Sequence, residues 1–216
     1  MLRSFLLVLT LGCVPIFAGC TPPFSSGPTI ESGMSERAAF IVLDVQRDFM
    51  RADGAFPVDE MQSEAVLLSI NETLVALPED AEVVYARNAF DENDVANPFR
   101  GNSAIAGSEG ALFDERLVMI DAPVFLKKES DAFSSSTFDA FLRKEKITQV
   151  YLSGVYADGC VFATALAAQQ RGYDVTIVED AVATETDERL ENAFAAHRDH
   201  GFEILHSDVV LERFVE

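Results

Sequence analysis

Residues 150–172 read VYLSGVYADGCVFATALAAQQRG. Val150–Ser153 is a short apolar run, Gly154–Cys160 is a turn, and Cys160–Arg171 has the look of an apolar helix that Gly172 stops. A strand thus runs into a helix, and a cysteine stands at the joint. Working outward, the same alternation recurs. AAFIVLD (Ala38–Asp44) is a near-continuous apolar run ending in an acid, as expected of a strand buried on both faces. A helix begins near Glu60 with Asp59 as its N-cap, places Leu67, Ile70, Leu74 and Leu77 on one face, and stops at Pro78. AEVVYAR (Ala81–Arg87), VFLKK (Val124–Lys128), DVTIVED (Asp174–Asp180) and FEIL (Phe202–Leu205) supply further strands. Helices are expected over about Thr137–Lys144, Asp187–His200 and Asp208–Val215. The pattern predicts an α/β fold: three layers around a doubly wound, mostly parallel, six-stranded sheet. Ligands of such sheets bind outside the carboxyl ends of the strands.

One segment breaks the rhythm. Asn88–Asp121 is long and weakly periodic, with a short helix expected near Gly110–Leu117. Loops of that length are usually functional or disordered, and this one is a candidate lid.

Composition narrows the partners. The 216 residues carry 36 acidic against 16 basic side chains, a net charge of -20, which repels nucleic acid and anionic membrane surfaces. The first twenty residues, MLRSFLLVLTLGCVPIFAGC, have a basic start, a short apolar core and a lipobox-like end at Cys20. They predict a lipoprotein signal over residues 1–20, with Cys20 lipidated and a flexible linker over 21–36 leading to a domain over 37–216. The expected location is the periplasmic side of a bacterial envelope, with membrane contact only through that anchor. The alternative is a cytoplasmic protein translated from Met34. Cys13 would leave with the signal, so either reading leaves Cys160 without a disulfide partner.

Three reactive side chains fall at strand ends: Asp44, Lys127 and Cys160. A helix N-terminus and a nearby ammonium favour thiolate, so a lowered thiol pKa is expected at Cys160. A carboxylate beside it can take the thiol proton and pass it to a leaving amine. Each signal alone has a bland alternative: a buried structural cysteine, a turn-capping aspartate, a surface lysine.

The blocks AFIVLDVQRDFM (39–50), FLKKESDAF (125–133) and LSGVYADGCVFATALAAQQRGYDVTIVEDAVAT (152–184) resemble the isochorismatase-like cysteine hydrolases. That superfamily includes nicotinamidases, N-carbamoylsarcosine amidases and ureidoacrylate amidases. The resemblance implies a catalytic triad of Asp44, Lys127 and Cys160, with Lys127 chosen over Lys128 by its spacing to Phe133. It implies a cis peptide between Val155 and Tyr156, an oxyanion hole from the Tyr156 and Cys160 N–H groups, and self-association into a homo-oligomer. Gln46 and Asp48 are expected as supporting residues. Asn88, Phe90, Phe99 and Phe133 are candidate pocket residues, and Arg87 or Arg100 could meet a substrate carboxylate.

The pattern also departs from its relatives. Nicotinamidases carry a metal site with an Asp-x-His motif after the second strand, whereas YARNAFDENDVANPF (85–99) has no histidine. No metal and no cofactor are therefore expected, which argues against nicotinamide. His197 and His200 share a helical face and are read as solvated. Ala157 stands where many relatives have Thr, and Tyr156 is bulky for its place. The expected activity is metal-independent hydrolysis of a small amide or ureido compound through a thioester. The alternatives are an idle binding protein on the same fold, or a thiol redox sensor, which lacks a resolving cysteine.

Overall fold

The computed structural model describes residues 23–31 and 37–215, so Cys20 and the signal-like stretch lie outside the described residues. Six strands form one sheet: β1 (Ala38–Leu43), β2 (Glu82–Asn88), β3 (Val124–Lys127), β4 (Gln149–Val155), β5 (Asp174–Ala183) and β6 (Glu203–Leu205). Their order is β3-β2-β1-β4-β5-β6 and every pairing is parallel. Six helices accompany them: α1 (Arg47–Met50), α2 (Glu60–Ala76), α3 (Ser136–Lys144), α4 (Cys160–Gln170), α5 (Asp187–Asp199) and α6 (Ser207–Val215).

Alternation along the strands builds two cores. Ala39, Ile41 and Leu43 of β1 pack with α3, α4 and α5 on one face, while Phe40 and Val42 pack with α1, α2 and α6 on the other. A strand covered on both faces needs apolar side chains at every position, which is why β1 reads as an unbroken run. The chain order reverses between β1 and β4, so a crevice opens at their carboxyl ends.

Two expectations change. The helix expected near Gly110–Leu117 is absent: that stretch is a series of turns, with Phe113 bridged antiparallel to Gln46 and the Asp114 N–H given to Val45 O at 2.9 Å. The loop's one helical turn lies at Asn97–Arg100 instead, where Pro98 suits a first-turn position.

The expected free linker is, over residues 23–31, a strap laid along the domain. Ser25 donates through N and Oγ to the Asp131 carboxylate at 3.0 and 2.8 Å. Arg171 donates to Ser25 O at 2.9 Å, Ile30 N donates to Arg171 O at 2.8 Å, and Gly27 exchanges hydrogen bonds with the Gln170 side chain. Asp131 and Arg171 are 1% and 2% exposed, so the strap supplies hydrogen-bond partners to two buried charges.

Candidate active site

The crevice forms where β1 ends. Asp44 follows Leu43 with φ of 56°, a left-handed conformation that costs most side chains energy and that Asp tolerates better than most. This twist aims the carboxylate across the sheet ends. Next door, β4 comes so close that a Cβ on Gly154 (φ 108°) would stand 1.9 Å from Leu43 O; only glycine fits. The register of β4 against β5 shifts between Leu152 and Gly154, and the chain enters the cysteine turn through a cis peptide between Val155 and Tyr156. Cys160 then opens α4.

Asp44, Lys127 and Cys160 meet there. Asp44 is 0% exposed and Lys127 1%, with Nζ 2.9 Å from Asp44 Oδ2. The ammonium also donates to Asn88 Oδ1 at 2.8 Å, Ser130 O at 2.9 Å and Glu129 O at 3.2 Å. Asp44 Oδ1 accepts the Asn88 N–H at 2.8 Å. Asp44 Oδ2 thus faces the ammonium, and the carboxylate also interacts with the Cys160 thiol. Lys127 is buried, whereas Lys128 is an exposed partner of Asp91.

Electrostatics correct one expectation. Burial pushes the Cys160 thiol up to about 11; Lys127 pulls it down, and the Asp44 charge pushes it up again. Cys160 therefore rests as a thiol rather than as a standing thiolate. Burial also raises the Asp44 carboxyl above its usual range, against the pull of Lys127. Burial works against the charge of Lys127, and its carboxylate and sulfur neighbours outweigh that, so its pKa is raised. The Tyr156 and Cys160 N–H groups flank the turn without a backbone acceptor among the described residues. Tyr156 packs on the Phe49 and Phe56 rings and donates its hydroxyl to Phe56 O.

The remaining expected residues divide. Gln46, fully buried, donates to Asn88 O at 2.9 Å and Ala111 O at 2.8 Å and accepts from Asn88 N at 2.9 Å, tying the loop to the site. Asp48 accepts from Ala104 N and Ala55 N, so it anchors the loop without touching the triad. Asn88 reaches the triad itself, its Nδ2 3.6 Å from Cys160 Sγ. The three phenylalanines are not pocket walls in the same sense. Phe133 is buried between Phe138, Tyr173 and Arg171 beneath the strap. Phe90 lies under the Arg100 guanidinium, and Phe99 is 90% exposed. Arg87 is held by Ala111 O and Arg100 by Asp94, so neither stands ready for a carboxylate.

His197 corrects another reading. It is fully buried rather than solvated, with Nε2 2.9 Å from Ala157 O behind the cysteine turn. Its periodicity with exposed His200 concealed that one side of α5 packs inward against Phe162 and Phe202. Burial lowers its pKa to about 4. Among the described residues no three His, Cys, Asp or Glu side chains could share a metal ion. After β2, where the nicotinamidase resemblance would put ligands, the Asn88 side chain is already held by Lys127 and Cys160, and Phe90 is apolar. These residues do not fit a metal.

Comparison with known proteins agrees with this geometry. The Isochorismatase domain profile matches residues 38–208. An uncharacterized isochorismatase family protein, PncA of Bacillus subtilis (strain 168), is 28% identical over 167 residues, 68% of this chain and 87% of that protein. The isochorismatase-like hydrolase of Alkaliphilus metalliredigens superposes with a TM-score of 0.76 at 23% identity, covering 82% of this chain and 99% of that one. Pyrazinamidase of Pyrococcus horikoshii, solved in complex with zinc, gives 0.71 at 29% identity over 79% of this chain and 99% of its own. N-carbamoylsarcosine amidase of Thermoplasma acidophilum gives 0.68 at 23% identity over 80% and 97%. With its parallel sheet, its reactive residues at the strand ends and a profile match over most of its length, the chain belongs to the isochorismatase family of hydrolases.

Proposed function

We propose that the protein hydrolyses the C–N bond of a small, neutral amide or ureido compound through a thioester on Cys160. The observation that carries this reading is the convergence of Asp44, Lys127 and Cys160 in one cluster, where a buried carboxylate paired with the ammonium also interacts with a thiol that burial holds in its neutral form. As Sγ attacks the carbonyl carbon, the thiol proton passes to Asp44 and the carbonyl electrons collect on oxygen. The Tyr156 and Cys160 N–H groups receive that oxyanion. The C–N bond breaks, and Asp44 returns the proton to the departing amine or ammonia. Water then attacks the thioester, giving one proton to Asp44; the C–S bond breaks, and the proton goes back to sulfur. Lys127 keeps Asp44 in position and its charge balanced throughout. A neutral substrate fits a site whose neighbouring arginines are engaged. No step requires a metal.

The test is ammonia release by the whole protein over a panel of carboxamides, ureas and carbamoyl compounds. Turnover should survive a chelator and vanish in Cys160→Ala. Loss on chelation, or turnover retained in Cys160→Ala, overturns the mechanism.

A further inference from the structure

Resting on the cysteine-hydrolase reading, we propose that Asn88 is a further functional residue of the site: its side-chain amide donates to Cys160 Sγ and holds the thiolate as it forms.

The orientation of this amide is fixed chemically. A lysine ammonium can only donate, so the Asn88 atom 2.8 Å from Lys127 Nζ is the carbonyl oxygen. The other end, Nδ2, is then the atom 3.6 Å from sulfur, within reach for a hydrogen bond to a large acceptor. The Asn88 backbone is equally committed. Its N–H points at Asp44 Oδ1 and Gln46 Oε1, at 2.8 and 2.9 Å, and its C=O accepts from Gln46 Nε2. One residue therefore touches all three reactive side chains through three different groups.

The contact has a direction. An amide N–H on sulfur favours the charged form over the thiol. Lys127, acting on the amide oxygen, polarises the N–H toward sulfur. Asn88 is 1% exposed, so water does not compete for either end. The ammonium makes its hydrogen bonds to Asn88, Glu129 and Ser130, and the amide hands part of its influence on to the nucleophile. Aspartate, of the same size, would keep the oxygen for Lys127 and put a second oxygen, with negative charge, against sulfur.

The experiment follows alkylation of Cys160 by iodoacetamide in the whole protein across pH, read by mass spectrometry. It uses wild type, Asn88→Ala and Asn88→Asp, each checked for a cooperative thermal transition. Both variants keep the backbone contacts to Asp44 and Gln46. The rate–pH midpoint is expected to rise by about one unit in Asn88→Ala, roughly tenfold less thiolate at neutral pH, and further in Asn88→Asp. A purely structural role would lower the melting temperature and leave that midpoint in place. Unshifted profiles in the folded variants overturn the proposal while turnover on the amide panel leaves the hydrolase reading intact. Turnover that is lost on chelation or retained in Cys160→Ala, with the predicted midpoint shifts present, sinks the cysteine-hydrolase reading and leaves the contact established. Should Asn88→Ala not fold, the isosteric Asn88→Asp decides.

Discussion

The molecule buries two ionic clusters, and they are finished differently. At the carboxyl ends of the strands, Lys127 and Asp44 pair in full burial, and Asp44 also interacts with the Cys160 thiol. Beside α4, Arg171 and Asp131 are as deeply buried, but the strap closes over them: Arg171 donates to Ser25 O and Ala167 O, and Asp131 accepts twice from Ser25. Arg171 also lies over the Phe133 ring, 4.6 Å from its centroid. Burying a charge is costly unless partners replace water. The second cluster uses its partners to fasten a segment of chain. The first sets its carboxylate against a titratable thiol.

The largest expected effect tests the first cluster. Lys127→Met leaves Asp44 buried without a countercharge; turnover should fall at least about a thousandfold and stability by about 3–5 kcal/mol. Turnover near wild type would show that the pair is only structural. Arg171→Met probes the second cluster. It should cost about 3 kcal/mol in urea unfolding and expose the strap to protease, with turnover per folded molecule changed only a few-fold. If Arg171→Met inactivates as fully as Lys127→Met, the two clusters are one functional unit and the contrast is wrong.

The smallest effect concerns His197, buried but belonging to neither cluster. Its folded pKa, about 4, lies below the unfolded value near 6.5. Between those values the unfolded chain binds more protons, so the contribution is fully present above pH ~6.5 and is lost as pH falls toward 4. The span amounts to about 3 kcal/mol across the whole window, and about 2 of it between pH 7.5 and 5. Unfolding midpoints at those two pH values should converge in His197→Phe relative to wild type. An unchanged acid loss in that variant would assign it to the carboxylates instead.

Much of this was legible in the residues. Asp44 closes an apolar run because β1 is buried on both faces, and Cys160 opens a helix after a glycine-rich turn; period and punctuation carry both. Asn88 was visible only as a polar residue at a loop mouth, because its partners lie 39 and 72 positions away. The burial of His197 was hidden by the spacing it shares with an exposed histidine. The strap was misread for a related reason: Pro, Ser and Gly in residues 23–31 resemble a tether, yet the segment docks largely through backbone groups, which composition does not display.

That strap also has a place in time. Its contacts to Asp131 and Arg171 span 106 and 146 positions of sequence. At about 5–20 residues per second, the ribosome finishes α4 on the order of ten to thirty seconds after residue 25. The strap therefore cannot close until α4 has been made, and until then Asp131 waits without its cover.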